Sequence, residues 1–228
     1  MKKKIEIKNK IYEYDELMIY LGQGKINKEI AKDNLLKLRE ILYKKEIYFV
    51  LFYGTLLGVI REEDLISYDQ DIDIFLLEKE KFLNELFLLR KNGFEVARYD
   101  IRGIISLIRN GEYIDIYFFN NYKDNIKRCC TEFLPSYFLE EKIERKFLDE
   151  KFYIPQKYKE FLLFEYGKNW NIPIEYKYSS LDILLNIIMV KIKKITPYFI
   201  VKKFYQKKEK KGKERYEEKL KKFKENMK

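Results

Sequence analysis

The stretch "SYDQDIDIFLL" at residues 67–77 constrains the fold more than any other part of the chain. Asp69, Asp71 and Asp73 occupy every second position and run straight into Ile74, Phe75, Leu76 and Leu77. In a strand, residues two apart share a face and stand roughly 6.5 Å apart, so Asp71 and Asp73 project together while Ile72 and Ile74 face the other way. Aspartate is a poor strand former and neighbouring carboxylates repel, yet the apolar residues that follow read as buried. Something must hold the acids there.

The chain contains no histidine, which removes imidazole bases, Ser-His and Cys-His nucleophile pairs and most catalytic zinc sites. Chemistry is left to carboxylates, Lys, Arg, Tyr or a hard metal. Two carboxylates side by side suit Mg2+ or Mn2+, which take carboxylate oxygens and keep positions open for phosphate. A third acid, Asp115, is embedded in the apolar run "EYIDIYFF", where an unpaired charge is costly. If the two runs are neighbouring strands, the three acids converge. Upstream, "GTLLG" meets the requirements of a phosphate site: Gly54 permits close backbone approach, Thr55 offers a hydroxyl, the helix-opening amides attract anions, and Arg61 adds a forked donor. The set points to metal-assisted phosphoryl or nucleotidyl transfer with two ions about 3.5–4 Å apart.

Each feature also has a plainer reading. A lone DxD is as compatible with a solvated acidic turn, Gly54 with a strand-end turn, Arg61 with a surface salt bridge, and Asp115 with an acid satisfied by backbone amides. An EF-hand loop through Asp69, Asp71, Asp73 and Glu80 is disfavoured, because Ile74 stands where that loop's sharp turn needs glycine. The plainer readings lose ground when all these features occur together in this order.

Periodicity places the acids in an α/β (α+β) arrangement, a mixed sheet with helices on its faces. Residues 27–45 predict an amphipathic helix capped by Asn27. "IYFVLFYG" predicts a buried strand into a turn, "GTLLGVIR" a short helix, "DIDIFLL" a strand and "EKEKFLNELFLLRKNG" one helix. "FEVARYD", "RGIISLIRNG" and "EYIDIYFF" predict strands, the last two joined through the hairpin signal at Asn110 and Gly111. After Asn120 the pattern reads as helical and aromatic, with a helix over 158–166, then an apolar helical segment and a charge-rich, mobile tail.

With 228 residues and 46% hydrophobic content the chain can build a sizeable core. Its adjacent Cys129 and Cys130 imply no disulfide framework. No leader pattern or long apolar run is evident, and the expectation is a cytoplasmic protein. The net charge of +10 is uneven: residues 191–228 hold 16 basic and 5 acidic side chains, leaving 31 basic against 32 acidic elsewhere. No nucleic-acid partner is expected of so neutral a body. The basic tail suggests peripheral contact with an anionic membrane face, set against a helix packed on the domain with a solvated charge run.

"YGTLLGVIREEDLISYDQDIDIFL" resembles the signature of the LicD family of phosphocholine transferases, which includes the fukutin-related proteins and belongs to the nucleotidyltransferase superfamily. "NLLKLREILYKKEIYFVL" before it, "YIDIYFF" after it and the late "YIP…YGKNWNIP" agree with family elements, so the resemblance spans roughly residues 27–176. It implies a nucleotidyltransferase-like catalytic domain over 1–178 and a basic helical tail over 179–228. It implies Gly54 and Thr55 in a phosphate-contacting turn, Asp71 and Asp73 as metal ligands, Asp115 as a third, catalytic carboxylate and Asp69 as a supporting ligand. A CDP-activated alcohol is the implied donor, CMP the leaving group, and a sugar hydroxyl of a cell-surface or lipid-linked glycan the acceptor. Departures from the family pattern are Ser67-Tyr68 for Pro-Trp, Gln70 for an acid, Glu62-Glu63-Asp64 for His-Gly-Gly and Lys168 for Asp. They fall on loops expected to touch donor or acceptor. Competing classes are a nucleotide-sugar glycosyltransferase, an NTP-dependent nucleotidyltransferase and a non-enzymatic binder.

Overall fold

In the computed structural model, which describes residues 2–19, 24–175, 179–196 and 198–227, the chain opens as an antiparallel hairpin of β1 (Lys2–Ile7) and β2 (Lys10–Asp15). Helix α1 (Lys28–Tyr43) follows, its first turn held by Asn27, whose side chain accepts a hydrogen bond from the Ile30 amide at 3.3 Å. Its apolar stripe of Ala31, Leu35, Leu38 and Leu42 is fully buried, as the three- and four-residue spacing requires. The predicted strand is only β3 (Val50–Leu51), which passes at once into α2 (Tyr53–Arg61). β4 (Ile72–Phe75) is buried at every position.

The helix expected over 78–93 is divided into α3 (Lys79–Asn84) and α4 (Leu86–Lys91). At Glu85 the amide bonds to the Phe82 carbonyl at 3.0 Å, three residues back, tightening the turn between them. Then come β5 (Glu95–Asp100), β6 (Ile104–Arg109) and β7 (Glu112–Tyr117). Asn110 and Gly111, both at positive φ (52° and 88°), make the expected two-residue turn between β6 and β7.

The helical reading after Asn120 is corrected. The segment forms β8 (Asn120–Lys123), β9 (Ile126–Cys129), β10 (Glu132–Pro135), β11 (Lys142–Phe147) and β12 (Glu150–Pro155) before α5 (Tyr158–Tyr166). The connecting turns place Asn125, Cys130, Leu148 and Asp149 at positive φ; Cys and Leu carry no turn signal a sequence reading can use.

Seven of the described strands form one mixed sheet in the order β11-β12-β3-β4-β7-β6-β5. β4 is parallel to β7 and antiparallel to β3, while β7, β6 and β5 alternate. β8, β9 and β10 make a smaller antiparallel sheet. α6 (Ser180–Ile195) is opened by a capping box of Ser179 and Asp182, and α7 (Tyr198–Asn226) is a continuous helix. The C-terminal extension is helical, as expected, but its charge-rich end, read as mobile, packs: Tyr216 and Phe223 join the core against Phe133, Phe138 and Phe164. The boundary expected at residue 178 lies outside the described residues.

Candidate active site

Strand register turns the isolated acids into a row. Asp73 of β4 lies beside Asp115 of β7, Asp115 opposite Ser106 of β6, and Ser106 opposite Arg98 of β5. Residues paired across neighbouring strands share a face, so the four side chains cross the sheet in one line. They touch: Ser106 Oγ donates to Asp115 Oδ1, and Arg98 donates to Asp115 Oδ2 at 2.8 Å and to Ser106 Oγ at 3.1 Å.

Arg98 and Ser106 were not legible as site residues in the sequence. Arg98 reaches the row because the β5–β6 register shifts between Val96 and Arg98, leaving Ala97 as a bulge whose carbonyl accepts from Leu17 N at 2.8 Å. Without that extra residue Arg98 would fall on the opposite face.

The start of α2 is built around Asp73. Gly54 N donates to Asp73 Oδ2 at 3.0 Å, and Thr55 Oγ1 accepts from Asp73 N at 2.8 Å. Tyr117 donates its hydroxyl to Asp73 Oδ1, also at 3.0 Å. Thr55 is buried and faces the strand backbone. Gly54 has a steric reason to be glycine: a Cβ there would lie 2.2 Å from Asp69 Oδ2 and 3.2 Å from Asp73 Oδ2. Gly58, the second glycine of "GTLLG", has another, since its Cβ would lie 2.5 Å from the Asp64 carbonyl.

Asp71, just before β4, accepts no hydrogen bond among the described residues. Burial, then the charges of Asp73, Asp115 and Asp69, hold its carboxyl well above the ordinary value. Burial and the charges of Asp69 and Asp115 do the same to Asp73, and burial raises Asp69. Such a set of hard oxygen donors in mutual repulsion fits a divalent cation in charge and chemistry. Among the described residues no three acids are gathered as closely as an ion needs; both oxygens of Asp115 are turned to Arg98 and Ser106.

In front of Asp69 and Asp71 opens a cavity of about 530 Å3, lined also by Gly54, Arg61, Tyr68, Tyr166 and Trp170. Arg61 is held by Glu62 and donates to Tyr68 Oη at 3.0 Å. Asp64 pairs with Lys28 and Lys32 at 3.0 and 3.1 Å. Of the residues departing from the family pattern, Tyr68 and Gln70 therefore line this cavity, Glu62 holds Arg61 and Asp64 braces α1, while Asp69 and Asp71 line the cavity's base with Asp73 and Asp115 in the row behind it.

The family comparison identifies a nucleotidyltransferase-type domain. Residues 46–161 match the family model described as "LicD/FKTN/FKRP, nucleotidyltransferase domain", and the chain belongs to that family. No curated protein matches the sequence. Among solved structures, a lincomycin-bound lincosamide antibiotic adenylyltransferase, LnuA, is 15% identical, with TM-score 0.44 over 70% of this chain and 96% of its own. The ANT(2")-Ia complex with adenylyl-2"-tobramycin is 10% identical, with TM-score 0.45 over 81% and 97%. A putative nucleotidyltransferase from Thermotoga maritima is 16% identical, with TM-score 0.37 over 60% and 87%. None is close enough in sequence to lend its substrate to this chain. Family membership makes the protein a nucleotide-related transferase.

Proposed function

We propose that the protein transfers a phospho-alcohol, phosphocholine or a relative such as ribitol or glycerol phosphate, from a CDP-activated donor to a sugar hydroxyl of a cell-surface glycan. The observation that carries this reading is half-buried Asp71 at the base of an aromatic cavity, with buried Asp73 behind it against the first turn of α2. The acceptor oxygen attacks the phosphorus bearing the alcohol. A new P–O bond forms as the bridging P–O bond of the diphosphate breaks, its electron pair leaves with CMP, and the hydroxyl proton passes to a carboxylate of the row.

Asp71 and Asp73, with Asp115 and Asp69 as further oxygen donors, would hold one or two Mg2+ or Mn2+ ions. When bound, such an ion supplies positive charge to the phosphoryl and leaving oxygens. Arg61, which lines the cavity, would contact a donor phosphate. Tyr68, Tyr166 and Trp170 offer faces for a cytosine ring or a quaternary ammonium group. Thr55 and Tyr117 orient Asp73 through hydrogen bonds.

Incubation with Mg2+ or Mn2+ and a panel of CDP-alcohols, NTPs and nucleotide sugars tests the reading by its product. CMP release from a CDP-alcohol is expected. Pyrophosphate from NTPs, or NDP from a sugar nucleotide with no CMP, overturns it in favour of a nucleotidyltransferase or a glycosyltransferase.

A membrane-linked acceptor also fits α6. Leu181, Leu184, Leu185, Ile188, Met189 and Ile192 lie on one helical face and are 39–63% exposed, and the lysine-rich start of α7 follows in sequence. Among the described residues no helix is long and apolar enough to cross a membrane, whereas an apolar face beside lysines suits the surface of an anionic leaflet. Replacing Leu184, Leu185 and Ile188 by Ser is expected to reduce sedimentation with anionic vesicles; unchanged sedimentation contradicts the contact.

A further inference from the structure

The acid row is open on two sides. One is the aromatic cavity before Asp69 and Asp71; the other is a groove of about 530 Å3 at the Arg98 end of the row, between β5, the segment after β2, and α7. Its character differs from that of the first. Lys3, Arg98, Arg102 and Lys208 line it against two acids, Glu16 and Asp100. Asp100 is already taken, since Arg102 forks onto it through Nε at 2.9 Å and through its terminal nitrogen. Arg102 is also fixed from the other side, its guanidinium 3.7 Å from the ring centre of Tyr205. Such a stacked, preorganised guanidinium loses little freedom on binding a further oxygen.

Lys208 has no carboxylate partner among the described residues; its ammonium lies 5.2 Å from the Phe204 ring. Burial, together with the guanidinium groups of Arg102 and Arg215, pushes its pKa down. A cation held among like charges at the edge of a groove gains from any anion that enters. At the inner end Arg98 connects the groove to the reacting row, because it both lines the groove and donates to Asp115.

We propose that this groove binds an anionic group on the acceptor, of the phosphate class, with Arg102 and Lys208 as its recognition pair and Arg98 marking where the acceptor hydroxyl meets Asp115. The assignment rests on the transferase reading for calling the ligand an acceptor, but the anion site itself does not. A donor in the aromatic cavity and an anionic acceptor in the groove approach the row from different sides, so neither has to leave for the other to bind.

The experiment uses the full chain and inorganic phosphate as probe. Phosphate is titrated at constant ionic strength, in the presence of saturating CMP to occupy the donor side, into wild type, Lys208→Gln and Asp71→Asn. Lys208 is partly covered at the groove edge but lies outside the hydrophobic core, so its replacement leaves the core untouched. Phosphate is expected to bind wild type and Asp71→Asn alike and Lys208→Gln roughly tenfold more weakly, the loss of one charge-assisted hydrogen bond. Equal binding by wild type and Lys208→Gln, or no binding by wild type, overturns the groove as an anion site. In the transferase assay, Lys208→Gln is expected to raise KM for a phosphorylated sugar acceptor while leaving KM for a neutral one unchanged. Loss of CMP release from every donor would instead count against the transferase reading and leave the phosphate result standing.

Discussion

Thr55 shows how much of the site lies in single hydrogen bonds. Its hydroxyl accepts from the amide of Asp73 inside the protein, so Thr55→Ala strands a buried N–H and is expected to cost about 1–3 kcal/mol. Thr55→Ser keeps the oxygen and should recover most of it, as urea denaturation would show; equal loss in both variants would mean that packing of the methyl group matters instead. The sheet face of Asp73 was legible in the sequence because side-chain direction in a strand follows from alternation alone, whereas Asp71 lies just before β4, where alternation does not fix its direction. Asp115 was legible as an acid inside an apolar run. The duty of Thr55 toward Asp73 was not, since it depends on how α2 docks on β4, and spacing carries no information on that.

At the scale of elements, the limit of sequence reading is register. Arg98 and Ser106 enter the row only through the antiparallel pairing of β5, β6 and β7 and the bulge at Ala97, which are long-range facts. The strands β8 to β12 escaped notice for a related reason: they are short, polar on one side, and joined by turns at Cys130 and Leu148. Helices α1, α2 and α5 were recognisable because their apolar periodicity is local. α7 was misjudged as mobile by its charge, while Phe223 packs among Phe138 and Phe164 with ring centres 6.2 and 5.9 Å away. Phe223→Ala is expected to destabilise the fold by about 3 kcal/mol. A change below roughly 0.5 kcal/mol, the range of surface substitutions, would show that α7 is not part of the folded body.

For the whole molecule, the acids set a pH dependence of definite sign. Burial and mutual repulsion raise Asp71 and Asp73 above their ordinary value of 3.8, so the folded protein without a cation holds these protons more tightly than the unfolded chain does. Their contribution is fully present below pH 3.8 and is lost as pH rises through the raised folded values. Chelator-treated wild type should therefore lose Tm relative to Asp73→Asn as pH increases, and added Mg2+ should restore it most at the higher pH. A Tm difference independent of pH and Mg2+ would contradict the electrostatic account of the row.

The central claim is that Asp71 and Asp73 together make phosphoryl transfer to a glycan hydroxyl feasible. It is tested most directly by measuring CMP release from a CDP-alcohol, with Mg2+ or Mn2+ and a glycan acceptor, in wild type and in folded Asp71→Asn and Asp73→Asn. Turnover in wild type and its loss by a factor of about 100 or more in each variant is expected; turnover retained in either variant would contradict the claim.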